Sequence, residues 1–147
     1  MARRVFFSFH YEDDIWRATI VRNSNVVDGS AAAGFQDASL WEEAKKKGDE
    51  AISRMIDRGL DDTTVTAVLI GAETSIRRWV DYEIMKSIER GNGLLGLYID
   101  QIRGSDQRTS LRGAVPQRLR TANAPVYEWD RMRFGEWVEA AARQAGR

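Results

Sequence analysis

TVTAVLI, Thr64 to Ile70, is a continuously β-favouring run with no charge in it. A strand that is apolar on both faces must be covered on both, as a central strand of a parallel sheet is. Gly71 follows it, and Thr74 or Ser75 is placed to cap a helix predicted from Ile76 to Arg90. Gly91-Asn92-Gly93 ends that helix, and Leu94 to Ile99 is a further apolar strand. This segment sets a strand–helix–strand pattern that the rest of the chain extends in both directions.

Towards the N-terminus, Val5-Phe6-Phe7-Ser8-Phe9 is short, apolar and aromatic, and reads as a buried strand. Polar residues Tyr11 to Asp14 follow, and a first helix is predicted over 15–22 with Ile15, Trp16, Thr19 and Ile20 as its apolar set. Residues 23–38 are rich in Gly, Ser, Asn and Ala and read as a long loop holding at most a short strand at Val26-Val27. Loops of that length are uncommon in small domains and are often functional. Ser39 to Glu42 matches a capping box, opening a helix that should run to about Arg58 and stop at Gly59. Its apolar face is Ala44, Ala51, Ile52, Met55 and Ile56, with Lys45 to Lys47 on the wet side. Towards the C-terminus, 100–124 is polar, Val126-Tyr127 suits a last short strand, and 134–142 a closing helix. The alternation predicts one α/β domain over 1–147, with a central parallel sheet and helices on both faces. Ligands of such sheets sit at the carboxyl ends of the strands.

Composition removes several classes of function. The chain has 147 residues, with 22 basic and 22 acidic, so no basic excess marks it as a nucleic-acid binder. It has no cysteine and one histidine, His10, which excludes disulfides, thiolate metal sites and histidine-rich metal sites. No apolar run is long enough to span a bilayer, and MARRVFFSFHYEDD has no signal-peptide pattern, so a cytoplasmic protein with no membrane partner is expected. Chemistry done without a metal must rest on carboxylates, hydroxyls and aromatics.

One carboxylate is out of place. On the helix predicted over 76–90, Ile76, Trp79, Val80 and Ile84 form an apolar stripe, and Glu83 projects into it, away from Arg78, Tyr82 and Met85. A carboxylate beside an indole and aliphatic groups loses hydration, which raises its pKa, and such carboxylates cluster at functional sites. The plainer reading is a boundary glutamate that reaches solvent or pairs with Lys86 or Arg90. Ser8 and His10 lie at the exit of the first strand, as ligand contacts or ordinary strand-end hydrogen-bonders. Phe35, Asp37 and Trp41 bracket the end of the long loop, where two aromatics and one acceptor would either hold a flat ring or anchor the loop. No phosphate-binding glycine fingerprint occurs. The five arginines between Arg103 and Arg120 read as a solvated surface or a partner site.

RRVFFSFHYEDD, FQDASLWEEAKKKGDEAISRMI and VTAVLIGAETSIRRWVDYEIMKSIERGN, in that order and spacing, resemble the TIR-like proteins of the Thoeris bacterial defence system, over about residues 3–100. The resemblance implies a three-layer flavodoxin-like fold with strand order 2-1-3-4-5. In TIR domains a tryptophan precedes by four residues the helix glutamate that carries NAD⁺ cleavage, and here those positions are Trp79 and Glu83. It also implies that Ser8, Phe9 and His10 lie near the ribose and nicotinamide, with Phe35, Asp37 and Trp41 opposite. NAD⁺ would be the substrate, with no further cofactor. The product would be an ADP-ribose-derived messenger, often a cyclic ADP-ribose isomer, that activates a separate effector. A phage-derived trigger and self-association belong to the same expectation. Relatives carry a longer segment between the fourth strand and the final helix than this chain does. The rival reading is a non-catalytic scaffold, and a phosphorylated receiver domain ranks below both because Gly71-Ala72, not an aspartate, follows the third strand.

Overall fold

The computed structural model describes residues 3–24, 32–33 and 38–147, those at 32–33 and 38–41 by their backbone alone. Five parallel strands form one sheet: β1 (Val5–Ser8), β2 (Ala32–Ala33), β3 (Val65–Ile70), β4 (Gly93–Tyr98) and β5 (Val126–Glu128), in the order β2-β1-β3-β4-β5. The helices are α1 (Tyr11–Arg22), α2 (Ala38–Lys47), α3 (Asp49–Leu60), α4 (Arg78–Arg90), α5 (Gln117–Thr121) and α6 (Phe134–Gln144). This is the expected three-layer, flavodoxin-like arrangement with its 2-1-3-4-5 order. No helix among the described residues is long and apolar enough to cross a membrane.

Strand side chains alternate between faces, and that alternation divides the core. Val5 and Phe7 of β1 join Val65, Ala67 and Leu69 of β3 against Ala18 and Val21 of α1 and Phe134, Val138 and Ala142 of α6. Phe6 points the other way, onto Ile52, Ile56 and Leu60 of α3. Val68 and Ile70 share that second face with Val80 and Ile84 of α4 and Leu119 of α5. Ser8, two residues after Phe6, is therefore committed to the α3–α4 side.

Several elements differ from expectation. Helix α1 begins at Tyr11, not Ile15, because His10 caps it: Nδ1 accepts from the Asp13 backbone N–H at 3.2 Å. Glu12, Asp13 and Asp14 occupy the first turn, where negative charge suits the helix dipole. Its buried residues are Asp14, Ala18 and Val21, while Trp16, 52% exposed, and Ile20 face outward. The second strand is at Ala32–Ala33, and the expected Val26-Val27 lies outside the described residues.

The helix expected from Ser39 to Arg58 is two helices, broken at Gly48 with φ 102° and ψ −175°, a conformation only glycine adopts readily. Gly59 lies inside α3, which ends at Leu60. The helix predicted from Ile76 is split as well. A 3₁₀ turn, Thr74–Ile76, comes first, and Ile76 is 77% exposed, so it is no part of the stripe. Thr74 ties down the end of β3 instead, its Oγ1 accepting from Gly71 N–H at 2.8 Å. Tyr82 stands with Trp79, edge to face at 5.5 Å, and not on the opposite side of α4.

Candidate active site

Ser8 ends β1 on the face that α4 covers, and its hydroxyl donates to Glu83 Oε1 at 2.7 Å. Ser8 is fully buried, while Glu83 keeps part of its surface exposed. The dehydrated end of Glu83 is its carboxyl. Burial pushes that carboxyl up to about 8, and the Ser8 hydrogen bond and the nearby Arg77 guanidinium both pull against this. The protonated form of this carboxyl is thereby favoured in the free protein near neutral pH.

Helical spacing explains why Glu83 faces the sheet. Val80, Ile84 and Ser87 of α4 are buried, and Glu83 lies at the edge of their face. Ser87 Oγ donates to the Glu83 carbonyl at 2.7 Å and meets Thr66 Oγ1 of β3, also at 2.7 Å. The backbone that carries Glu83 is thereby tied to the central strand. Trp79, one turn earlier, is partly buried against the α3 core, with the Arg78 guanidinium 4.6 Å from its ring centre.

The other expected site residues are placed as follows. His10 lies at the β1 exit as the cap of α1, with Glu12 Oε2 at 3.7 Å and Asp13 Oδ2 at 3.6 Å. Phe9 packs in the α1–α6 core and stacks on Tyr11 at 6.0 Å. The alternation that runs through β1 thus sets the Phe9 ring in the core layer opposite Ser8. Phe35 and Asp37 lie outside the described residues, as does the side chain of Trp41, whose backbone is in α2.

The structure adds charged residues that periodicity could not reveal. Arg77, just before α4, pairs with Glu12 Oε2 at 2.8 Å, and Lys45 of α2 reaches Glu12 Oε1 at 3.3 Å. Arg77 lies outside the regular helix, so no 3.6-residue spacing links it to Glu83. The charge run Glu12 to Asp14 was the available sign. Asp14 is 3% exposed and packs its carboxyl against Gly71, where burial raises it to about 6, and its Oδ2 has no hydrogen-bond partner. Among the described residues no group of three or more His, Cys, Asp or Glu could hold a metal ion.

A parallel sheet in this order, with a dehydrated glutamate on α4 hydrogen-bonded to the end of β1, places the chain among TIR-like α/β domains. The family described as Thoeris protein ThsB, TIR-like domain, matches residues 6–103, and the chain belongs to it. A Bacillus cereus (strain MSX-D12) protein provisionally named cyclic ADP-D-ribose synthase ThsB1 is 52% identical over 118 residues, 79% of this chain. The chain spans 62% of the length of that relative.

Proposed function

We propose that this protein cleaves the nicotinamide–ribose bond of NAD⁺ and converts the remainder into an ADP-ribose-derived signal, a cyclic ADP-ribose isomer, for a separate effector in anti-phage defence. The observation that carries this reading is the hydrogen bond between buried Ser8 and the half-buried Glu83 at the carboxyl edge of the sheet. Family membership and the name of the Bacillus cereus relative support the substrate and product class.

The chemistry asks for one carboxylate. As the C1′–N bond breaks, its electron pair leaves with nicotinamide, which departs neutral and needs no general acid. Positive charge develops at the ribose anomeric carbon, and a fixed carboxylate beside it stabilises that charge. The substrate's cationic ring favours the ionised form of Glu83, so substrate binding draws the proton off the carboxyl. Ser8 holds the carboxylate in position. Capture of C1′ by a nucleophile of the same molecule closes a ring and releases one proton, whereas capture by water gives ADP-ribose. Trp79 shields the approach on the α4 side. A phage-derived trigger and self-association are further parts of this reading.

The test is incubation of concentrated protein with NAD⁺, with and without lysate from phage-infected cells, beside Glu83→Gln, with products resolved by mass spectrometry. Nicotinamide together with a cyclic ADP-ribose isomer, both lost in the variant, is the expected result. No turnover in any condition, with phage protection unchanged in Glu83→Gln, overturns the reading in favour of a scaffold.

A further inference from the structure

Glu12 bridges two cations from different parts of the chain. Its Oε2 is 2.8 Å from Arg77 Nη1, at the entrance to α4, and its Oε1 is 3.3 Å from Lys45 Nζ on α2. The Arg77 side chain is 15% exposed and is thus fixed, while Lys45 and Glu12 are each 39% exposed and open to solvent. The cluster lies at the edge of the sheet where β1 ends, with Glu12 four residues after Ser8 and Arg77 directly preceding the helix that carries Glu83. The Arg77 guanidinium pulls against the burial of the Glu83 carboxyl. His10 borders the cluster, its Nδ1 accepting from the Asp13 backbone and lying 3.7 Å from Glu12 Oε2, with Nε2 3.6 Å from Asp13 Oδ2.

NAD⁺ carries two opposite charges, a cationic ring and an anionic diphosphate one ribose away. Glu83 suits the first and repels the second, so the diphosphate needs its own cations a short distance off. Arginine is the usual choice, since its planar fork matches two oxygens of a phosphate at once. The Glu12 carboxylate already presents two anionic oxygens to a guanidinium and an ammonium, which is what a phosphate would present.

We propose that Arg77 and Lys45 anchor the diphosphate of the substrate, and that Glu12 occupies the anion's place until substrate displaces it. This rests on the NAD⁺ reading above and deepens it. Two roles follow for the one cluster. Arg77 binds substrate directly, while Glu12 competes with substrate and holds Arg77 ready in the empty site. Removing the competitor should therefore strengthen binding, although Glu12 itself forms ion pairs in the free protein. An ordinary structural ion pair predicts the opposite, because its loss leaves Arg77 less ordered.

The experiment uses the full chain carrying Glu83→Gln, so that ligands bind without turnover, and calorimetric titration with ADP-ribose and with nicotinamide riboside, which lacks the diphosphate. Arg77→Met is expected to weaken ADP-ribose by roughly ten- to a hundredfold, the scale of a lost charge-assisted hydrogen bond, and to leave nicotinamide riboside within about twofold. Glu12→Gln is expected to tighten ADP-ribose by about threefold or more, with a smaller gain at high salt. Thermal melts confirm that each variant is folded, and Arg77→Lys, which keeps the charge, should bind between the two extremes. Equal losses for both ligands in Arg77→Met, weaker or unchanged ADP-ribose binding in Glu12→Gln, or no ADP-ribose binding by the Glu83→Gln parent each overturn the proposal. Nicotinamide release by the unsubstituted chain is scored separately. If release fails while these titrations behave as expected, the anchor stands and the cleavage reading falls.

Discussion

Ser8 and Glu83, 75 positions apart in the chain, share a 2.7 Å hydrogen bond in which a fully buried hydroxyl donates to a carboxyl that burial has pushed up to about 8. The bond favours the ionised form, so the serine opposes the effect of the surrounding apolar groups. The kinetic expectation follows from the sign. kcat/KM for NAD⁺ should rise with pH through the free-protein value near 8 and level off above it. Ser8→Ala removes a pull towards ionisation, so its acid limb should move to higher pH, by up to about one unit. A pH–rate profile of both proteins checks this, and an unmoved limb would show that the hydroxyl does not govern the titration.

Glu83→Gln should abolish turnover and stabilise the fold. The folded carboxyl titrates near 8 against an ordinary 4.5. Between those values the native state holds a proton that the unfolded chain has lost. Stability therefore falls as pH rises from about 5 to 8, by at most about 3 kcal/mol at pH 7. Glutamine removes this ionisation cost. Urea melts at pH 5 and pH 7.5 should show the two proteins converging at the lower pH and the variant ahead at the higher.

Gly71 and Asp14 should be energetically coupled. A methyl carbon placed on Gly71 would lie 2.6 Å from Asp14 Cγ and 2.7 Å from its Oδ1. Gly71→Ala alone is expected to cost about 2 kcal/mol or more through overpacking. Combined with Asp14→Ala, which removes the obstructing atoms, most of that cost should disappear. A double-mutant cycle with a coupling under about 0.5 kcal/mol would mean the close approach is relieved in another way.

At Gly48 the cost should be purely one of backbone conformation. No atom within 4 Å would meet an added Cβ, yet φ is 102°. Gly48→Ala should therefore destabilise by about 1–3 kcal/mol without any steric clash. If denaturant melts of this variant match those of the parent, the α2–α3 corner has another conformation open to it.

The layers were legible because Val65–Ile70 is apolar on both faces and the helices around it keep a periodic pattern, while the strand order came with the family resemblance. Glu83 stood out because a charged residue falls among apolar positions, and the family resemblance singled it out over the plainer reading of a boundary glutamate. What escaped was local geometry. The start of α1 depends on His10 acting as a cap, and a histidine there carries no strong sequence signal. Lys45 to Gly48 to Asp49 reads as an unbroken helix because a glycine costs a helix only about 1 kcal/mol, too little to mark a break by itself. Phe9 came with Ser8 and His10 from the family resemblance, which does not say into which layer the pleat sends its ring. Arg77 and Glu12 belong to a tertiary contact, which no single periodic segment encodes.

The alternation of β1 makes its length and its composition unequal under mutation. Phe7 and Phe9 flank Ser8 and lie in the opposite core layer. A one-residue insertion or deletion upstream in the strand would turn an aromatic ring towards Glu83 and bury a hydroxyl among the α1 and α6 side chains. Position 8 can therefore exchange one small polar residue for another at modest cost, whereas a shift in register disrupts the Ser8–Glu83 contact and the packing together. Among descendants of this gene, β1 should vary in its letters and never in their number.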